Sequence, residues 1–297
     1  MIDLHMHTLN SDGDKTTIEI LKMCEEKKLS YISITDHDNC YSYNDLNSID
    51  VKKYFSGQII PGVEITTSFE NNIIEILAYG VNTTVINDFH KKTYTKEKLI
   101  ERENYLFNKL LGICKDLGLK NSKDLKLDII KRGLAKRIIY NDLLKYKENF
   151  NIIDNELFKS FNNFARKGLA NPKNKLYLSE DNFFPDLKEV SKLIKKSNGV
   201  CFLAHLYQYG IGNDIEFLNR LRKEIKLDGV ECHYCYFTDE QTNTILKYAK
   251  ENKLYISGGS DYHGELKPGI DIGVGKGNLN IKEEIINPWI NKVKTYC

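Results

Sequence analysis

Along most of this chain, short apolar runs alternate with amphipathic stretches, a pattern that restricts the fold to an α/β architecture before any single residue is weighed. Ile2 to Thr8 reads as a strand. Thr16 to Lys28 reads as a helix, since Thr16 and Glu19 make a capping box ahead of Ile18, Ile20, Leu21 and Cys24. Tyr31 to Thr35, Ile59 to Thr66 and Ile73 to Val81 follow as strands, the last two separated by the turn signal Glu70-Asn71-Asn72. Gly199 to Ala204, Gly229 to Cys232 and Leu254 to Ser257 are strand-like again. Helical patterns cover Ile215 to Lys226 and Asp239 to Asn252, the latter with Thr238 and Gln241 as its capping pair. This order predicts a parallel α/β fold, as a barrel or a partly closed barrel.

The chain of 297 residues, 41% hydrophobic and 28% charged, is long enough to bury a full core in one large domain or in a domain with an insertion. A net charge of +2 carries no whole-chain signature of a nucleic-acid or membrane binder, so any phosphate recognition has to be local. The start Met1-Ile2-Asp3-Leu4-His5 does not read as a signal peptide, and no apolar run approaches the ~18 residues of a membrane span. Seven scattered cysteines, at 24, 40, 114, 201, 232, 235 and 297, fit a reducing compartment better than a disulfide framework. A cytoplasmic protein with no membrane partner is the expectation.

One stretch breaks the alternation. From Thr95 to Asn171 the pattern is almost wholly helical, with Leu99, Leu106, Leu110, Leu111, Ile113, Cys114 and Leu117 on one periodicity. Ile129, Ile130, Ile138, Ile139, Leu143 and Leu144 fall on others. The expectation is a helical insertion over residues 95–171, with 1–94 and 172–297 forming the remaining domain. Lys91 to Phe150 holds sixteen basic against eight acidic residues. That excess is either a solvated helical face or a basic lid for a polyanionic substrate.

His5 and His7, two apart in a strand, project from the same face, the convergence that metal ligation needs. Ser11-Asp12-Gly13 then fits a loop in which Asp12 turns back towards the imidazoles. The second strand ends in Thr35-Asp36-His37-Asp38 and the third in Pro61-Gly62-Val63-Glu64. Glu75, between Ile74 and Ile76, is either an acid facing a site or part of a surface alternation. Leu203-Ala204-His205 and Ser260-Asp261-Tyr262-His263-Gly264 complete the set, so that every histidine except His90 lies at or just beyond a strand end. In a barrel those ends form one mouth. Imidazoles and carboxylates gathered there suit divalent zinc, manganese or iron, and the absence of thiols from these positions disfavours a structural zinc site. Cys232-His233-Tyr234-Cys235 reads as a strand end with buried thiols more readily than as a zinc knuckle, leaving His233 as a substrate-contact candidate.

Taken together, His5-Met6-His7-Thr8 with Ser11-Asp12-Gly13, Thr35-Asp36-His37-Asp38, Pro61-Gly62-Val63-Glu64, Ala204-His205 and Gly259-Ser260-Asp261-Tyr262-His263-Gly264 resemble the PHP (polymerase and histidinol phosphatase) superfamily of metal-dependent phosphoesterases. The resemblance implies a distorted (β/α)7-type barrel with three divalent metal ions at its C-terminal mouth. One metal would take His5, His7, Glu64 and Asp261; a second would share Glu64 and add His205; a third would take Asp12, His37 and His263. It also makes Glu64, Asp261 and His263 the residues nearest the chemistry. The helical insertion is similar to that of the subgroup that removes the 3′-phosphate from nucleoside 3′,5′-bisphosphates and trims 5′-phosphorylated RNA. Two departures stand out: Glu75-Ile76-Leu77-Ala78-Tyr79-Gly80 replaces that subgroup's histidine-bearing strand, and Leu206 follows His205 where a proline is common. Glu75 is therefore expected as a metal ligand in place of histidine, with magnesium added to manganese, iron and zinc as a candidate ion.

Phosphate esters repel hydroxide. Two or three cations that bridge phosphoryl oxygens, lower the pKa of a bound water and stabilise the leaving alkoxide remove that obstacle, so a metal-activated hydroxide is the expected nucleophile. Arg102, Lys136 and Arg137 are candidates to clamp a second phosphate, or else simple surface charge. The leading expectation is a phosphatase or 5′-3′ exonuclease for a phosphorylated nucleotide or short nucleic acid. A histidinol-phosphate type of small-molecule phosphatase and a non-catalytic metal-binding regulatory domain are the alternatives.

Overall fold

The computed structural model describes residues 1–128 and 133–296, so the periodicity expected at Ile129 and Ile130 lies outside the described residues. Strands β1 (Ile2–Asp3), β2 (Tyr31–Ile32) and β3 (Gln58–Ile59) pair in parallel as one sheet. Strands β4 (Gly62–Phe69), β5 (Asn72–Tyr79), β6 (Val200–Leu203), β7 (Gly229–Tyr234) and β8 (Tyr255–Gly259) form a second sheet in that order. The helices are α1 (Thr17–Glu26), α2 (Tyr41–Asn47), α3 (Thr83–Thr93), α4 (Lys96–Asp116), α5 (Leu134–Leu143), α6 (Phe161–Asn163), α7 (Leu187–Lys196), α8 (Asp214–Glu224) and α9 (Asp239–Glu251). Among the described residues no helix is long and apolar enough to cross a membrane.

The chain forms two compact units. The first comprises Met1–Thr67, Ile74–His90 and the residues from Asp186 onward; the second comprises Ser68–Ile73 and Lys91–Pro185.

In the first unit the capping signals act as the sequence implies. Thr16 accepts from the Glu19 backbone while Glu19 returns a bond to the cap, and Thr238 with Gln241 does the same for α9. The strands are shorter than their apolar runs, because beyond Asp3 the backbone no longer pairs with β2 residue by residue. Met6 O still accepts from Thr35 N at 2.8 Å, but the other bonds run to β8 and the loop after it. Leu4 N donates to Gly258 O at 3.1 Å, His7 N to Tyr262 O at 2.9 Å, and Asp261 N to His5 O at 2.7 Å. On the other side an isolated parallel bridge joins His37 to Glu64.

The expected parallel arrangement needs one correction. Strand β5 pairs antiparallel with β6, with Ile76 opposite Leu203. The physical reason is the connection before it. Glu70 and Asn71 both take positive φ, 50° and 61°, which is what a two-residue hairpin turn demands, and such a turn reverses the chain. Beneath the strand ends lies an apolar layer that includes Ile2, Leu4, Tyr79, Phe202 and Trp289, all fully buried. Its polar edges are tied down: the Tyr79 hydroxyl donates to Leu4 O and the Trp289 indole to Ile256 O, each at 3.1 Å.

The second unit has its own core, in which Leu106, Leu110 and Cys114 of α4 meet Ala135, Ile139 and Leu143 of α5, with Leu157, Phe164 and Leu176 closing it. Its helical character is less regular than the periodicity suggests, since after α5 the chain runs through short 3₁₀ turns and a π-helical stretch at Phe164–Leu169. Glu103 is buried inside this unit. Its carboxylate accepts from Gly133 N at 2.8 Å and Ala135 N at 2.9 Å, so a side chain of α4 satisfies orphan amides at the start of α5.

Candidate metal centre

Five imidazoles and four carboxylates named from the sequence meet in the first unit. His5 and His7 follow β1, and because alternate residues of an extended chain share a face, both rings point inward. His37 lies beyond β2, Glu64 and Glu75 sit in β4 and β5, His205 follows β6, and Asp261 and His263 follow β8. The backbone passes through positive φ at Asp38 (61°), His205 (20°) and Asp261 (56°), uncommon values for residues with a Cβ, which turn these strand ends inward.

Glu64 is the hub. Its Oε1 lies 2.8 Å from His205 Nε2, and its Oε2 lies 3.3 Å from His5 Nε2, from His7 Nε2 and from His37 Nδ1. Asp261 Oδ1 is 3.5 Å from His5 Nε2, 3.3 Å from His7 Nε2 and 3.4 Å from His263 Nδ1. The exposed Asp12 faces His263 Nε2 at 3.2 Å, and His7 Nδ1 and His37 Nε2 at 3.6 Å. Glu75 Oε2 is 3.2 Å from His205 Nε2, so the side chain faces the cluster.

Among the described residues, three sets have donor atoms that all lie within 4.8 Å of one another: His5, His7, Glu64 and Asp261; His7, Asp12, His37 and His263; and His37, Glu64 and Glu75. Cations of the expected kind fit these sets on one further observation. His5 Nε2, His7 Nε2 and His37 Nδ1 are buried with no hydrogen-bond partner, although carboxylate oxygens stand close by. Buried polar atoms are seldom left so, and lone pairs aimed at a shared point between acids are what a divalent ion satisfies.

Electrostatics point the same way. Burial favours the neutral acid at Glu64, yet the imidazoles of His5 and His37 outweigh it and hold the carboxyl well below the usual range. Asp261 is likewise held low against burial, by Lys267, His5 and His263. Burial opposes protonation of His7 and His205, but their carboxylate neighbours raise both to about 9. A buried anionic group of this density requires positive charge, as imidazolium or as bound cations.

Residues outside the sequence-named set support the cluster. Glu231 of β7, fully buried, lies 2.8 Å from His5 Nδ1 through Oε1 and accepts from His205 N at 2.8 Å through Oε2. Asp261 Oδ2 accepts from the Tyr234 hydroxyl at 2.7 Å and from Lys267 at 2.5 Å. Asp36 accepts from Thr8 N at 2.7 Å and Ser11 Oγ at 2.6 Å, fixing the loop that carries Asp12. Glu231 had a legible signal, an acid inside the apolar run Gly229 to Cys232, of the same kind that marked Glu75.

The remaining named residues fall elsewhere. His233 belongs to none of the three donor sets, and burial pulls its ring below the ordinary histidine range. Cys232 and Cys235 are buried free thiols, both raised by burial, Cys235 to about 12. In the second unit, Arg102 contacts Glu103 at 2.8 Å and also Glu180, which pairs with Lys136 as well. Arg137 stacks its guanidinium over the Phe161 ring, 4.1 Å from the centroid.

Comparison with known proteins adds four findings. The family model described as PHP domain matches residues 3–199. The chain is 24% identical over 275 residues to the 5′-3′ exoribonuclease Rnm of Escherichia coli, covering 91% of this chain and 87% of the relative. It is 22% identical over 277 residues to a 3′,5′-nucleoside bisphosphate phosphatase of Chromobacterium violaceum, covering 92% and 90%. In fold it is similar to the solved structure of an amidohydrolase from Chromobacterium violaceum, with a TM-score of 0.63 at 19% identity over 92% of this chain and 89% of that one.

Proposed function

The chain belongs to the PHP domain family, and on that premise we propose that it is a metal-dependent phosphoesterase acting on nucleotides or on the 5′ ends of RNA. The observation that carries the reading is the set of buried, unpartnered ring nitrogens of His5, His7 and His37 aimed between Glu64 and Asp261. In the full reading three divalent ions, of manganese, iron, zinc or magnesium, are held by His5, His7, Glu64 and Asp261, by Glu64, Glu75 and His205, and by Asp12, His37 and His263. Bound there, such ions supply positive charge to phosphoryl oxygens and lower the pKa of an attacking water.

The protein's own part is to hold that constellation still. Glu64 faces different imidazoles with its two oxygens, which suits a carboxylate shared between two ions. Lys267 and Tyr234 occupy the outer oxygen of Asp261, so its inner oxygen stays directed at His5, His7 and His263. The substrate class comes from the relatives' names, a 5′-3′ exoribonuclease and a 3′,5′-nucleoside bisphosphate phosphatase. Arg102, Lys136, Arg137 and His233 are the proposed substrate contacts; of these, Arg102 and Lys136 would exchange Glu180 for phosphate oxygens. The fold reading extends likewise: hydrogen bonds from Leu4, His5 and His7, just after β1, to β8 and the loop after it, with the His37–Glu64 bridge, support a distorted (β/α)7-type barrel, into which residues 95–171 are inserted as a helical subdomain.

The test is a substrate screen with manganese: nucleoside 3′,5′-bisphosphates, 5′-phosphorylated RNA and DNA oligomers, and histidinol phosphate. Turnover of the bisphosphates or the 5′-phosphorylated RNA is expected. Histidinol phosphate as the best substrate would favour a small-molecule phosphatase, and absence of turnover throughout would favour a metal-binding regulatory domain.

A further inference from the structure

We propose that Glu231 is a positioning residue that sets the tautomer of His5 and the backbone of His205, and so determines which ring nitrogens face the cation site. The proposal rests on the phosphoesterase reading above and deepens it.

Glu231 sits where β7 and β8 slip out of register, between Glu231 and His233, an irregularity of the kind that re-aims a side chain. Its carboxylate is fully buried and is divided between two partners. Oε1 lies 2.8 Å from His5 Nδ1, and Oε2 accepts the His205 backbone N–H at 2.8 Å. A carboxylate only accepts, so Glu231 holds the His5 proton on Nδ1 and leaves Nε2 as the nitrogen whose lone pair a cation would take. That is the nitrogen lying 3.3 Å from Glu64 Oε2 and 3.5 Å from Asp261 Oδ1 with no hydrogen-bond partner of its own. At His205 the backbone has φ 20° and ψ 55°, an uncommon conformation that the bond to Glu231 helps to hold, and Nε2 there points at Glu64. One carboxylate thus orients two histidines that lie far apart in the sequence, in the manner of an acid behind a metal-ligating imidazole.

Glu231→Gln tests this because it preserves shape and reverses one hydrogen bond. The amide oxygen still accepts from His205 N, and the amide NH₂ then faces His5 Nδ1. His5 has to accept there, which moves its proton to Nε2 and turns an N–H towards the cation site. Manganese binding to the full-length protein is measured by calorimetry, and ions per chain by elemental analysis. About 10- to 100-fold weaker binding is expected, the usual effect of losing such a partner. The melting temperature in EDTA separates this from a folding defect: it should match the wild type while the rise on adding manganese shrinks. In a His5→Ala background, Glu231→Gln should cost much less, since the main route of its effect is gone. If the variant does not fold, nitrogen NMR of histidine in the zinc-loaded wild type decides. Protonated Nδ1 with Nε2 ligating supports the assignment, and Nδ1 ligating overturns it. Wild-type affinity and stoichiometry in Glu231→Gln also overturn it. A wild type that binds no divalent ion rejects the phosphoesterase reading itself, and this role with it.

Discussion

Glu64 Oε1 lies 2.8 Å from His205 Nε2, so that Oε2 alone is left to face His5, His7 and His37, each at 3.3 Å. A carboxylate divided in this way joins ligand sets that would otherwise be independent. Glu64→Gln is expected to lower kcat by orders of magnitude and to reduce bound ions per chain by more than one, whereas loss of a peripheral ligand such as Asp12 removes one at most. Parallel elemental analysis and steady-state kinetics of the two variants check this; equal losses would deny Glu64 its bridging place.

Chelation gives the second expectation. Dialysis against EDTA should abolish phosphoesterase activity, and added manganese should restore it, because unpartnered ring nitrogens and buried acids without a cation leave no group to polarise a phosphoryl oxygen. Activity that survives complete removal of metal, confirmed by elemental analysis, would be incompatible with the proposed chemistry.

Glu75 faces His205 at 3.2 Å at the position where a histidine is common in the resembling subgroup. A carboxylate is the harder ligand. Glu75→His should stay folded and shift the metal preference from manganese or magnesium towards zinc, read from activity across a series of ions. Glu75→Ala should weaken one ion without that shift. Identical ion profiles for both variants and the wild type would leave Glu75 without a ligand role.

Glu180 supplies a pH dependence of stability in the second unit. Burial raises its pKa, but Lys136 and Arg102 outweigh that, and the carboxyl lies below its ordinary value of 4.5. A group depressed on folding contributes stability that is present above the unfolded pKa and lost as pH falls through the folded one. Wild-type stability should therefore decline on acidification below about pH 4.5. Glu180→Gln should be less stable at pH 7, by roughly 3 kcal/mol for a broken buried pair, with a flatter acid limb. Urea unfolding followed between pH 3 and 7 reads both.

The basic excess of the insertion has a selective probe in Arg137, which is stacked on Phe161 and is no part of the Glu180 network. Arg137→Ala should raise KM for 5′-phosphorylated RNA several-fold at low salt, less so as salt rises, and leave hydrolysis of p-nitrophenyl phosphate unchanged. Equal loss on both substrates would indicate a damaged fold. Arg102→Ala is less informative, because it also removes one partner each from Glu103 and Glu180.

What could be read from the sequence follows the range of each signal. The ligand candidates at strand ends were legible because histidine and acid stand there next to apolar runs, and Thr16 with Glu19 or Thr238 with Gln241 declare helix starts within four residues. The direction of β5 was written in Glu70–Asn71, but the alternation of strands and helices spoke more loudly. The signal of Glu231 is weaker than that of the adjoining Cys232-His233-Tyr234-Cys235, which carries two thiols and an imidazole in four residues. The neutralisation of Arg102 and Lys136 is out of reach of sequence, because the charge excess lies within residues 91–150 and the acid that meets both is Glu180. Pairing across such distances is a property of the packed chain, not of a window.

The bond from the Ser260 backbone N–H to the Asp3 carboxylate joins residues 257 positions apart, and His5 meets Asp261 by the same seam. During synthesis at about 5–20 residues per second, the amino-terminal histidines therefore wait on the order of tens of seconds for their last partners to leave the ribosome. The contiguous stretch from Lys91 to Pro185, with a core of its own, is complete long before. The insertion can thus be structured while the unit that hosts it is still open, and the cluster forms as one of the final acts of folding. A nascent chain arrested anywhere before Asp261 lacks at least Asp261 and His263, and metal offered at that stage meets ligands without a cage.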